Sequence, residues 1–143
     1  MNKELFKKAY KIISDVPAKV MNLDLIANKC GKNSCGTIAC AAGWLAQSPT
    51  FKRKGLKLVI RGDGFYVASL KEIVPHVGLE FEGRKYDAGD YAKVMHDLFN
   101  MDYCAAEDLF GPLECSEKAW KKSHKEVWLR RARKFAKEND IKL

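Results

Sequence analysis

Leu56-Lys57-Leu58-Val59-Ile60-Arg61-Gly62-Asp63-Gly64-Phe65-Tyr66-Val67-Ala68 is the stretch on which the fold class turns. Two β-prone runs flank an Asp-Gly pair, residues that tolerate the positive φ angles of a tight turn, and this pattern predicts a β-hairpin. A two-stranded hairpin is marginal alone, so it must pack on helices or gain a third strand. Gly78 to Tyr86 is the candidate for that strand.

Outward from the hairpin, the chain reads as helix. Leu5, Phe6, Ala9, Tyr10, Ile13 and Val16 recur at helical spacing opposite Lys3, Lys7, Lys8 and Lys11, predicting an amphipathic helix over 3–15 that Pro17 limits. Residues 18–29 hold a second apolar patch, read as a short helix with weak start signals. Cys30 to Gly36 is a loop by its Gly, Asn and Ser content, and Thr37 is a good N-cap for a helix through Gln47, which Ser48-Pro49 ends. Downstream, helices are expected over about 89–99, 103–110 and 117–138, the last capped by Ser116, with Trp120, Val127, Trp128, Ala132 and Phe135 as one core-facing stripe. Asp97-Leu98-Phe99 and Asp108-Leu109-Phe110 echo each other as two short helices, each closing on a Leu-Phe pair for the core. The expectation is one mainly helical α+β domain over 1–143 with a small antiparallel hairpin, extended to three strands if Gly78 to Tyr86 joins.

Composition narrows the class. A chain of 143 residues with 47% hydrophobic and 31% charged content is of ordinary globular type. The lysines of the first helix interrupt any signal-peptide core, and the longest nearly apolar run, Ile38 to Ala46, is about half the ~20 residues that span a bilayer. The expectation is therefore a cytoplasmic protein without a membrane partner. Five cysteines, an odd number, are then expected as thiols.

The net charge of +8 is unevenly spread. Residues 1–55 carry 10 Lys+Arg against 3 Asp+Glu, residues 56–115 carry 6 against 11, and residues 116–143 carry 10 against 4. Internal complementarity, with the basic ends folded on the acidic middle, is the simpler explanation; an anionic partner is the functional one. The predicted last helix concentrates the charge in Lys118, Lys121, Lys122, Lys125, Arg130, Arg131, Arg133, Lys134 and Lys137, and the first eight of these form the candidate anion-binding set. A nucleotide or nucleic acid would suit them, with Trp120 and Trp128 able to stack on bases only if exposed. A helix-turn-helix reading of 103–110 fails on its acidic residues.

The most distinctive motif is Cys35-Gly36-Thr37-Ile38-Ala39-Cys40-Ala41-Ala42-Gly43-Trp44. If Thr37 caps the helix, Cys40 lies in its first turn, where the dipole favours a thiolate, and Cys35 or Cys40 with His96 would support nucleophilic catalysis. The turn is similar to the Cys-Gly-Ser-Cys-Trp turn of papain-like proteases, but the spacing differs and no His lies in a companion motif. The alternative is packing: small side chains at Ala39, Cys40, Ala42, Gly43 and Ala46, with Trp44 as a core anchor. Cys30, Cys35 and Cys40 with one His would make a tetrahedral zinc set, yet the predicted helix points Cys40 away and tight Cys pairs are lacking, so no metal is expected. Nor does any phosphate loop or serine elbow call for a cofactor.

Cys35-Gly36-Thr37-x-x-Cys40-x-Ala42-Gly43-Trp44, the two Leu-Phe segments and Trp120 together resemble small bacteriophage and prophage proteins of unassigned function. The resemblance covers the smaller part of the chain, and the Cys-Gly-Thr turn is its one specific motif. It implies a non-enzymatic phage accessory protein that binds a host component or anionic ligand, in host takeover or anti-defence, within the host cytoplasm. It carries over no functional residue. A cysteine-dependent hydrolase or transferase is the alternative class, and a nucleic-acid-binding or virion-associated protein a further one.

Overall fold

The amphipathic period of the first residues folds as predicted. In a computed structural model that describes residues 1–23, 27–29, 37–60, 65–67, 71–74 and 77–143, helix α1 spans Lys3–Asp15 and buries Leu5, Phe6, Ala9 and Ile13. The Asn2 side chain accepts from the Leu5 amide at 3.0 Å, satisfying one of the unpaired donors of the first turn. Residues 18–29 differ from the expected short helix. The described residues of this stretch give a 3-10 turn, Ala18–Val20, and a strand β1, Ala27–Lys29, antiparallel to β2, Thr37–Ala39.

Thr37 is consequently no helix cap. Its backbone is committed to the ladder opposite Lys29, and the helix α2, Ala41–Gln47, starts three residues later than predicted. Its cap is Cys40, whose Sγ accepts from the Gly43 amide at 3.5 Å. Ser48 then ends α2 and caps the short α3, Pro49–Lys52, with Pro49 in the first turn, where its missing N–H costs nothing.

The predicted hairpin is repartnered. Strand β3, Lys57–Ile60, lies antiparallel to β6, Val77–Phe81, and not to β4, Phe65–Val67, which pairs with β5, Glu72–Val74. The β3–β6 register sets Leu58 against Leu79 and Lys57 against Glu80, an apolar and an opposite-charge pair. The Asp63-Gly64 pair lies outside the described residues. The expected third strand is two strands, β6 and β7, Arg84–Tyr86, joined by Glu82-Gly83 with φ of 51° and 76°. Positive φ at both loop positions matches the right-handed twist of the flanking strands, so the tight hairpin forms here. The three-stranded sheet has the order β3-β6-β7.

A 3-10 turn, Ala88–Asp90, precedes α4, Tyr91–Phe99, and α5 spans Tyr103–Phe110, capped by Asp102. Asn100, at φ 50°, reverses the chain between them. The repeated Leu-Phe pairs meet as expected of core residues: Phe99 and Phe110 stack at 5.7 Å, and Phe6 meets Phe99 edge-on at 6.2 Å. The single helix predicted over 117–138 is broken. Its parts are α6, Cys115–Lys118, capped by Glu114 rather than Ser116, and α7, His124–Glu138. Ser123 and Glu126 form a reciprocal capping box that starts α7, and Lys121 at φ 53° turns the chain between the two helices. The result is a mainly helical α+β fold around one core in which Trp128, Phe6, Phe51, Phe99 and Phe110 are almost fully buried.

Candidate functional site

Helices α1 and α7 pack side by side and antiparallel. Lys3 Nζ donates to the Asn139 carbonyl at 2.8 Å, Arg133 Nε to the Tyr10 hydroxyl at 3.0 Å, and Lys125 Nζ to the Ser14 carbonyl at 2.5 Å. Below these polar links, Phe6 meets Phe135 at 5.1 Å and Tyr10 meets Trp128 at 6.3 Å. The two basic ends of the chain therefore lie against each other. Lys3, Lys7 and Lys11 recur at one helical face of α1, and Arg130, Arg133, Lys134 and Lys137 are exposed on α7, whose opposite face buries Val127, Trp128, Ala132 and Ala136.

Ion pairing leaves most of this charge facing outward. Lys7 binds Glu4 at 2.8 Å, Lys134 lies 3.9 Å from Glu138, and Glu126 turns back to the Ser123 amide at 3.2 Å. These pairs are internal to the basic ends, while Asp108 and Glu114 of the acidic middle share a hollow with Arg130 and Lys134 of α7.

The eight candidate cations separate into distinct roles. Lys118, Lys121 and Lys122 are exposed around the α6–α7 turn, while Lys125 and Arg133 tether α7 to α1. Arg131 is a structural clamp. Its Nε donates to Glu117 Oε1 at 2.8 Å, Nη2 binds Glu117 Oε2 and, at 2.8 Å, the Pro112 carbonyl, and Nη1 donates to the Gly111 carbonyl at 2.7 Å. Glu117 is buried, and the Arg131 guanidinium holds its carboxyl below the ordinary value against the opposing effect of burial. With its donors spent on these partners, Arg131 is a poor anion ligand.

Trp120 departs furthest from expectation. It is 39% exposed in the α6–α7 turn, while Trp128 is fully buried, so the two do not share a core stripe. The break in the predicted helix changes Trp120's direction. Its amide donates to the Glu117 carbonyl at 3.1 Å, and the Arg130 guanidinium lies over its ring at 3.9 Å from the centroid. The ring borders a hollow of about 320 Å³ between α5, α6 and α7, floored by Leu109 and the Glu117–Arg131 pair and flanked by Asp108 and Lys134. The Ser123-x-x-Glu126 pattern was the sequence signal for this break.

The described part of the cysteine motif, from Ala39 to Trp44, is packed into the core. Cys40 is 2% exposed and burial pushes its thiol up to about 11, which outweighs the amide hydrogen bonds that favour a thiolate. Ala39, Ala42, Gly43 and Ala46 are buried around it, and the half-buried Trp44 donates its indole N–H to the Val20 carbonyl at 3.1 Å. His96 engages other groups: Nδ1 binds the Met101 carbonyl at 2.5 Å and Nε2 lies 3.7 Å from Asp97. Cys30, Cys35, Gly36 and His76 lie outside the described residues. Among the described residues no group of three His, Cys, Asp or Glu side chains is placed to hold a metal, and no helix is long and apolar enough to cross a membrane. No protein-family model, curated protein or solved structure matches this chain.

Proposed function

We propose that this protein acts by binding, presenting the cationic face of α1 and α7 to a polyanionic partner. The observation that carries this reading is the antiparallel α1–α7 contact, which brings lysines of α1 beside the cations of α7. Such a surface raises the local concentration of anions and speeds encounter with them. In the setting implied by the phage resemblance, the protein is an accessory factor that engages a nucleic acid or another anionic host component in host takeover or anti-defence. The burial of Cys40, which pushes its thiol up to about 11, favours this reading over a thiol enzyme that uses Cys40.

Counterion release supplies the test. If about six cations contact phosphates or sulfates, affinity falls about 10³-fold between roughly 50 and 200 mM salt. Fluorescence anisotropy with labelled heparin and labelled duplex DNA should show that steep dependence. The double variant Lys11→Glu, Lys137→Glu, altered at two exposed positions on the two helices, should weaken binding and flatten the slope. Binding independent of salt, or unchanged in this variant, refutes the reading.

A further inference from the structure

We propose that the polyanion is a single-stranded nucleic acid and that Trp120, backed by Arg130, is the platform on which one of its bases stacks. This rests on the polyanion reading above and specifies its ligand. An exposed aromatic ring alone needs no explanation. Here three further features accompany it.

The backbone that carries the ring is held in place, and the Arg130 guanidinium packs on the ring itself. The Trp120 amide is bonded to the Glu117 carbonyl, and Glu117 is itself clamped by Arg131 to the chain after α5. An aromatic residue whose backbone is fixed before binding loses less freedom when a ligand covers it.

The ring is also joined to the cationic face. Arg130 stacks on the indole and shares the exposed side of α7 with Arg133, Lys134 and Lys137. A strand whose phosphates follow those cations passes directly beside the ring. Aromatic rings interleaved with a cationic track are the general means of binding single strands, because every base offers a π-face.

Finally, the hollow beside Trp120 has the chemistry of a base slot rather than a phosphate slot. Its volume of about 320 Å³ suits a small ring system. Asp108 on α5 and Glu114 at the start of α6 line it opposite Arg130 and Lys134. Carboxylates repel phosphate, but they accept from an exocyclic amino group such as that of cytosine. A base held in a duplex stack cannot enter such a slot, so an unpaired strand is the ligand that uses both the cations and the ring.

Oligodeoxycytidylate is the probe, with heparin and a DNA duplex as polyanions that offer no unpaired base. The oligonucleotide should quench tryptophan emission, and the quenching should vanish in Trp120→Phe relative to the signal of Trp44 and Trp128. Trp120→Ala should lose about tenfold or more in oligonucleotide affinity, the scale of one base–aromatic stack, with heparin affinity unchanged. Trp120→Phe should retain most of the oligonucleotide affinity. Circular dichroism verifies that the Ala variant, altered at an exposed turn residue, is folded. Equal affinity for duplex and single strand, or an Ala variant that binds the oligonucleotide like the parent, overturns the platform. If heparin still binds with a steep salt dependence in that case, the polyanion reading survives alone; if no polyanion binds, both fall.

Discussion

Replacing Arg131 with Ala removes the guanidinium that holds α6 to the end of α5 and to α7. The Glu117 carboxylate, with 9% of its side chain exposed, would keep the Glu114 amide at 2.9 Å but lose both contacts to Arg131. The Gly111 and Pro112 carbonyls lose their donors as well. Removing one partner of a buried pair costs about 3–5 kcal/mol, because the other charge is left without compensation. Arg131 retains 13% side-chain exposure, so water can partly replace it, and the lower end, about 3 kcal/mol, is expected. At roughly 2–4 °C per kcal/mol for a domain near this size, Tm should fall by about 6–12 °C.

Urea unfolding of the parent, Arg131→Ala, Glu117→Gln and the double variant, at neutral and acid pH, measures this clamp. The double-mutant cycle should return a coupling of at least about 1 kcal/mol, as for residues in one network. The pH dependence has a definite sign. Because the folded-state carboxyl titrates below its ordinary 4.5, the contribution is complete above that value and is lost as pH falls through the lowered one. The gap between parent and Arg131→Ala should therefore narrow in acid. A cost under about 1 kcal/mol, as for an exposed pair, or a gap unchanged by acid refutes the reasoning.

Two further predictions concern packing. With its thiol pushed up to about 11 and buried, Cys40 should alkylate far more slowly than the exposed Cys104 and Cys115 in the folded protein, read by peptide mass spectrometry; comparable rates would return Cys40 to consideration as a nucleophile. Gly111→Ala should destabilise the fold by about 1–3 kcal/mol, since the added Cβ would lie 2.5 Å from the Glu107 carbonyl oxygen and 2.9 Å from the Tyr91 hydroxyl; an unchanged urea midpoint would refute that.

The elements legible in the sequence are those whose signals are local. Helix α1 spans the predicted residues because its apolar period and the Pro17 after it lie within one stretch, and α5 likewise carries its own cap in Asp102. The end of α2 was legible at Ser48-Pro49, but its start was not, because β1 draws Thr37 to Ala39 into a ladder and leaves the cap to Cys40. The break between α6 and α7 was locally encoded by Ser123 and Glu126, but the continuous run of helix-forming residues around it reads equally as one long helix.

The sequence by itself determined the fold class, the helices α1, α4 and α5 and the excess of positive charge at both ends. Only the tertiary structure decided which strand pairs with which, since a strand's period specifies a buried face but not the partner that covers it. It also decided that the basic ends meet each other and that Trp120 faces outward while Trp128 is buried. Charge and aromaticity are properties of residues; a binding face is a property of their arrangement, which the packing of α7 against α1 and α5 creates.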